Sequence, residues 1–538
     1  MDLPLPVLDQ LGKDKLPAGL SFPTWLVLDV QGRYPARAPK NPLQQALSRA
    51  DSLESFDRKI DSLIEAPWLH GVLVRIGDLS VETATAWHLM RSLRRLSAEK
   101  RTVAYANQLD MIGALVASGA REITLPESAD LSLTGFTSEV TFFGAFLRKN
   151  GVEVENASRG EYKSALARFT QDHMDEFDRA QRDALLTSVE ATWVREVAAS
   201  RKVGEETVRG WLAAGITSAS QARDLGLIDR VAYEDELYGP GTRPLSSVAA
   251  VLKPPRAKTG GGRVAIVSLI GTIVTGRSRN NPLPLFGGVQ AGADSVVSAL
   301  RRAQRDEHTK AIVLYVNSGG GSALASDLMW REVARSVKPV VAVMGDVAAS
   351  GGYYAVTHAR RIVAAPSTIT GSIGVATGKL VLRELNERLG FGVDRVSRSA
   401  YPGLLSSSEP WSAPERELID RSVTEVYDRF LSRVAQGRGL SVERANELGR
   451  GRVWSGEDAL RLGLVDELGD LNTGIERACE LAGLPYEAPV WTVEPPRKLE
   501  LPDLAQPAAG LAQSLIPADF LRESALTWLD AGWKIRSR

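Results

Sequence analysis

Apolar runs of five to seven residues alternate along this chain with longer segments whose apolar positions recur at helical spacing. Trp25-Leu-Val-Leu-Asp-Val-Gln-Gly32, Gly71-Val-Leu-Val-Arg-Ile76, Ala265-Ile-Val-Ser-Leu-Ile-Gly271, Ala311-Ile-Val-Leu-Tyr-Val316 and the run 339–344 are suited to buried strands. Segments 294–305 and 322–336 are amphipathic and predict helices. Strands alternating with helices require crossover connections, so the expected class is α/β with mostly parallel sheets. Ligand sites in such folds gather beyond the carboxyl ends of strands, where a loop at Asn317 and a turn at Gly345-Asp346 both fall.

The pattern also repeats. The first strand returns 239 positions later, Ser158-Arg-Gly-Glu-Tyr-Lys163 aligns with Ser397-Arg-Ser-Ala-Tyr-Pro402 at the same offset, and 216–229 matches 453–466 at 237. A near-constant offset over most of each half predicts a tandem duplication. Gly-Pro-Gly, Lys-Pro-Pro and Gly-Gly-Gly within 238–263 mark a linker between the halves. The expected organisation is an extension at 1–20, repeats at 21–237 and 263–485, a linker at 238–262 and a tail at 486–538.

Composition narrows the function. With 538 residues, 44% apolar, and no net charge, the chain has material for two cores and no basic block calling for nucleic acid. Five scattered histidines and one cysteine, Cys479 in a helical pattern, predict neither a metal site nor a disulfide, and no cofactor motif is present. No apolar run reaches 18 residues, and the start Met1-Asp-Leu-Pro-Leu-Pro lacks the basic and apolar regions of an export signal. The expectation is therefore no spanning helix and no signal peptide. In the tail, apolar Phe520, Leu521, Leu526, Trp528, Leu529, Trp533 and Ile535 among charged residues suggest an amphipathic helix, suited to peripheral membrane contact or to docking on the protein itself.

The candidate chemistry sits where the run 339–344 turns through Gly345-Asp346 to Ser350-Gly-Gly. A serine there lies at a helix start, where free N–H groups and the positive dipole end favour developing negative charge. Taken alone it reads as a helix cap. Position comparison changes the balance: 239 before Ser350 stands Met111, and 239 after Lys163 stands Pro402. Each half has kept one member of a Ser and Lys pair and lost the other. A desolvated lysine amine serves as base for a serine nucleophile, one variant of triad chemistry. The loop Asn317-Ser-Gly-Gly-Gly-Ser322 is suited to supply an oxyanion donor, with Gly321 first and Gly320 beside it, and the Gly351 N–H as second donor. Small residues at Ala348, Ala349 and Gly371 leave room for a peptide backbone.

Tyr162-Lys163-Ser164-Ala165, Asn317-Ser-Gly-Gly-Gly-Ser322, Gly345-Asp-Val-Ala-Ala-Ser350-Gly-Gly-Tyr-Tyr354, Thr370-Gly-Ser-Ile-Gly-Val375 and Val453-Trp-Ser-Gly-Glu-Asp-Ala459, in that order, resemble the long, two-domain form of the signal peptide peptidase A family. The resemblance implies a duplicated ClpP/crotonase-like fold and a serine endopeptidase that cuts apolar peptides such as cleaved signal peptides. It implies Ser350 as nucleophile, Lys163 as general base, and Gly321 and Gly351 as oxyanion donors. It further implies membrane association and a homotetramer whose dyad comes from one chain. The chain departs from the family at Gly319, where proline is usual, at Ala167-Arg-Phe169, where Glu-Pro-Phe is usual, and in lacking an initial anchor, which leaves a cytoplasmic protein as the alternative. Two other readings are a crotonase-type acyl-CoA hydratase or isomerase, which needs a pocket carboxylate, and a catalytically silent assembly protein.

Overall fold

The duplication is carried by two parallel sheets with the same strand order. The computed structural model describes residues 23–36, 51–239, 241–248, 252, 261–281, 288–493, 526–528 and 536–537. It divides into two compact units, one of Met1–Thr137, Val189–Ala257 and Ile535–Arg538, the other of Ser138–Ser188 and Lys258–Lys534.

In the first unit the strands Trp25–Gly32, Gly71–Leu79, Arg101–Ala106, Glu122–Leu125 and Arg230–Val231 lie side by side in that order, with Arg243–Pro244 beside the first, all parallel. In the second, Arg263–Ile270, Thr309–Ser318, Val340–Ala349, Arg361–Ala364 and Glu467–Leu468 follow the same order, with Val490–Thr492 beside the first. One polar lock is kept in both. Ile123 N–H donates to the Asp229 carboxylate at 2.7 Å and Ile362 N–H to that of Asp466, also at 2.7 Å. Each carboxylate is held in turn by an arginine, Arg201 at 2.8 Å and Arg438 at 2.5 Å.

The expected strands form, and most run longer than their apolar cores: the run 339–344 becomes Val340–Ala349 and reaches Ser350. Strands covered on both faces need continuous apolar side chains, and Val267, Leu314, Ala342 and Ile362 are all buried. The helix Ala293–Arg305 turns Val296, Ala299, Leu300 and Ala303 to this sheet. The helix Ala323–Ala334 starts on Ser322, whose Oγ accepts from Ala325 N–H at 3.3 Å. Cys479 is a buried core residue of the helix Leu471–Ala482. Within 518–538, the stretch read as an amphipathic helix, the described residues form short strands, Leu526–Trp528 and Arg536–Ser537. Open strand edges offered to the first of them favour extended backbone there; the rest of that stretch lies outside the described residues.

The second unit also holds a smaller mixed sheet, in which Thr272–Val274, Gly320–Ser322, Leu526–Trp528, Val375–Val381 and Glu153–Arg159 are successive neighbours. It collects the glycine loop, the segment after Gly371 and the strand leading to Lys163. No helix among the described residues is long and apolar enough to cross a membrane.

Candidate active site

Three local features bring the site residues together, all within the second unit. The first is the turn at Ser350. This residue begins the helix Gly351–Val356 with φ +54° and ψ −119°, an unfavourable conformation for a side-chain-bearing residue, and makes no side-chain cap. The turn is held by Ser350 N–H donating to Gly371 O at 2.8 Å and by Tyr354 N–H donating to Ser350 O at 2.8 Å. The hydroxyl is thereby kept out of capping duty at a helix start.

The second is the approach of Lys163. Glu153–Arg159 pairs antiparallel with Val375–Val381, Arg159 opposite Val375, which carries the following residues to Ser372. Gly160 has φ +101°, and a Cβ there would lie 2.2 Å from the carbonyl carbon of Arg450; one on Gly451 would lie 2.6 Å from Lys163 Cβ. These glycines let two backbone segments touch, joined by Tyr162 N–H donating to Arg450 O at 3.0 Å. Buried Gln181 donates to Tyr162 O at 3.1 Å and to Ser164 Oγ at 3.2 Å, fixing the residues on either side of the lysine.

Lys163 Nζ lies 2.8 Å from Ser350 Oγ, 3.0 Å from Ser372 Oγ and 3.3 Å from Ser372 O. Ser350 is fully buried and Lys163 is 6% exposed. Burial alone lowers the amine to about 7, with no charged neighbour contributing. A neutral amine has two N–H groups and one lone pair. In that form, N–H groups donated to the two oxygens of Ser372 would leave the lone pair for the Ser350 hydroxyl. Ser372, itself at φ +50°, was not singled out from sequence, although it lies in the Thr370-Gly-Ser motif. A second positive-φ residue is invisible to hydropathy.

The third feature is the glycine loop. Gly321 has φ +148°, and a Cβ on it would lie 2.1 Å from Ile273 O, so only glycine fits. Gly320 N–H donates to Ser318 Oγ at 3.1 Å, while Ser318 Oγ donates to Gly271 O at 2.6 Å. The Gly320 donor is thus used inside the loop. A Cβ on Gly352 would lie 2.7 Å from Ser318 O, so the loop and the start of the Ser350 helix are in contact. Among the described residues there is no cluster able to hold a metal ion.

A buried hydroxyl against a buried amine whose neutral form burial favours, beside a glycine loop at strand ends, is the equipment of a serine-type peptidase. Comparison with known proteins gives the same class. Residues 94–240 and 332–485 each match peptidase family S49, and the chain belongs to that family, repeated in two regions. It is 31% identical over 502 residues to "Serine protease SPPA, chloroplastic" of Arabidopsis thaliana, covering 88% of this chain and 72% of that one. It is 30% identical to "Protease 4" of Haemophilus influenzae, over 71% of this chain and 65% of the relative, and 32% identical to "Protease 4" of Salmonella typhi, over 69% and 62%. A ClpP1 mutant of Listeria monocytogenes overlays 39% of this chain and 93% of its own, at 18% identity and a TM-score of 0.25. The chain is a serine-type peptidase, and neither the acyl-CoA reading nor the silent scaffold is favoured.

Proposed function

We propose that Ser350 is the nucleophile and Lys163 the general base of an endopeptidase acting on extended apolar peptides, cleaved signal peptides among them. The observation that carries this reading is the 2.8 Å contact between Nζ and Oγ, made by an amine that burial lowers to about 7. Lys163 takes the hydroxyl proton as Ser350 Oγ attacks the peptide carbonyl; the resulting ammonium gives that proton to the departing amine. Water, activated by the same amine, then releases the acyl group from Ser350. The N–H groups of Gly321 and Gly351 receive the oxyanion, while Gly320, whose N–H goes to Ser318, shapes the loop. Both dyad members come from one chain in this arrangement, which suits a homotetramer with a site in each subunit and peripheral contact with the membrane where its substrates are left.

The test is cleavage of an apolar fluorogenic peptide by wild type, Ser350→Ala and Lys163→Met. Each substitution is expected to lower kcat by about 10³-fold or more with the fold intact by circular dichroism. Full activity in either variant would remove that residue from the dyad.

A further inference from the structure

Gln181, in the second turn of the helix Glu176–Arg201, is 1% exposed, and its amide reaches two segments at once. Its two N–H groups are shared among Tyr162 O at 3.1 Å, Ser164 Oγ at 3.2 Å and Asp178 Oδ1 at 3.2 Å. Its Oε1 accepts from Val453 N–H at 3.4 Å. Val453 begins the strand Val453–Ser455, which pairs antiparallel with Ile369–Gly371, Val453 opposite Gly371. Gly371 O accepts from Ser350 N–H, and Arg452 O accepts from Ser372 N–H at 2.7 Å. One side chain thus ties the turn carrying Lys163 to the strand pair that holds the turn of Ser350. The tie needs a donor and an acceptor on one buried side chain, which an amide supplies and an apolar side chain or a carboxylate does not.

The surroundings keep this amide in place. Arg182 Nε donates to Asp178 Oδ2 at 3.0 Å, with both residues buried, and Asp178 N–H donates to Asp175 Oδ1 at 2.7 Å. Outside the helix, Glu161 pairs with Arg450 at 2.8 Å, and the Arg452 guanidinium lies over the Tyr162 ring at 5.2 Å. The other half of the chain offers a comparison. The helix Ala413–Arg438 stands 237 positions after Glu176–Arg201, so Asp178 corresponds to Glu415 and Gln181 to Leu418. Glu415 Oε1 accepts from Gly403 N–H at 2.5 Å, beside Pro402, the counterpart of Lys163. Both halves keep an acid at this place in the helix, and the amide stands only in the half with the lysine.

We infer that Gln181 is a positioning residue for the peptidase reaction, setting Lys163 Nζ against Ser350 Oγ and keeping water from the amine by closing the two turns on each other. The inference rests on the proposed dyad for its catalytic consequence and on hydrogen bonding alone for the tie. Without the amide, Tyr162 O and Val453 N–H lose a buried partner and replace it by admitting water. Water near Nζ favours the ammonium, so less free base is present at neutral pH.

The experiment compares, in the full-length protein, wild type, Lys163→Met, Gln181→Met and Ser164→Ala. Methionine has similar volume and neither hydrogen-bonding function; Ser164→Ala is a milder change at the same tie. Two readouts are taken: the pH dependence of kcat and KM for the fluorogenic peptide, and the rate at which acetic anhydride labels Lys163 at pH 9, read by mass spectrometry. Gln181→Met is expected to lower kcat about tenfold at neutral pH with KM within about twofold. The midpoint of kcat/KM should rise by about one pH unit, with kcat at pH 9 returning to within about threefold of wild type, and Lys163 should label faster. Ser164→Ala should move each readout in the same direction and less far. A lower kcat with midpoint and labelling unchanged is ordinary destabilisation and overturns the inference. Should Gln181→Met fail to fold by circular dichroism, unchanged midpoint and labelling in Ser164→Ala overturn it. If Lys163→Met cleaves as well as wild type, the dyad reading fails instead, while labelling still decides whether Gln181 closes the site over the amine.

Discussion

At the scale of single residues, the proposed dyad depends on an ammonium being costly where Lys163 lies. The amine ordinarily titrates near 10.5 and burial lowers it to about 7. The free base is needed, so kcat/KM is expected to rise with pH through about 7 and then level off, measured with a substrate that does not titrate. The same shift destabilises the fold. Above 10.5 the amine is neutral folded and unfolded and costs nothing; as pH falls toward 7 the unfolded chain takes up a proton that the folded one refuses, and below that the penalty is complete. Lys163→Met is therefore expected to be inactive yet more stable than wild type, by on the order of 2–4 kcal/mol near pH 6 and by far less near pH 10, as read from denaturant unfolding at the two pH values. Ser372→Ala leaves the amine only the backbone carbonyl of residue 372 to orient it, and kcat should fall about tenfold with KM little changed. Lys163 and Ser350 were legible in the sequence through their complementary loss between the halves. Ser372 was not, because its contact with the amine comes from the direction of one backbone turn.

At the scale of elements, the site is built from close backbone approaches that glycines permit. Gly321→Ala would place a methyl group 2.1 Å from Ile273 O at a left-handed φ, so the strand Gly320–Ser322 must shift. A loss of about 10²-fold in kcat is expected, as for removal of one oxyanion donor, with thermal stability checked in parallel. The positions of these elements were readable: apolar runs of strand length gave the strands, and the helix Ala323–Ala334 began at the Ser322 cap within the expected 322–336. Their ends were not. Val340–Ala349 continues through Gly345-Asp346, which reads locally as a turn, because Asn317 Oδ1 accepts from Val347 N–H at 3.1 Å and neighbouring strands pair with the extension. The tail shows the same effect: amphipathic spacing there meets a gap between two strands, and pairing selects extended backbone at Leu526–Trp528.

At the scale of the whole molecule, both units keep one scaffold, and the proposed dyad draws one member from each half of the sequence. Both units preserve the strand order and the Ile and Asp lock. The counterpart of Ser350 is buried Met111, at the start of a helix capped by Asp110, whose Oδ1 accepts from Gly113 N–H at 2.6 Å. That cap has ordinary negative φ, without the strained turn found at Ser350. Met111→Ser placed in a Ser350→Ala background is accordingly expected to recover no cleavage of the fluorogenic peptide. The sequence by itself determined the repeat, the α/β class and the two residues worth testing, since burial of apolar strands and loss of a paired group both leave marks along the chain. Only the tertiary structure decided that 138–188, from the amino-terminal half, joins the compact unit holding Ser350, and that the amine there is buried. Which distant segment supplies a base depends on long-range packing and on water exclusion by many residues at once, and neither is written in the spacing of any one motif.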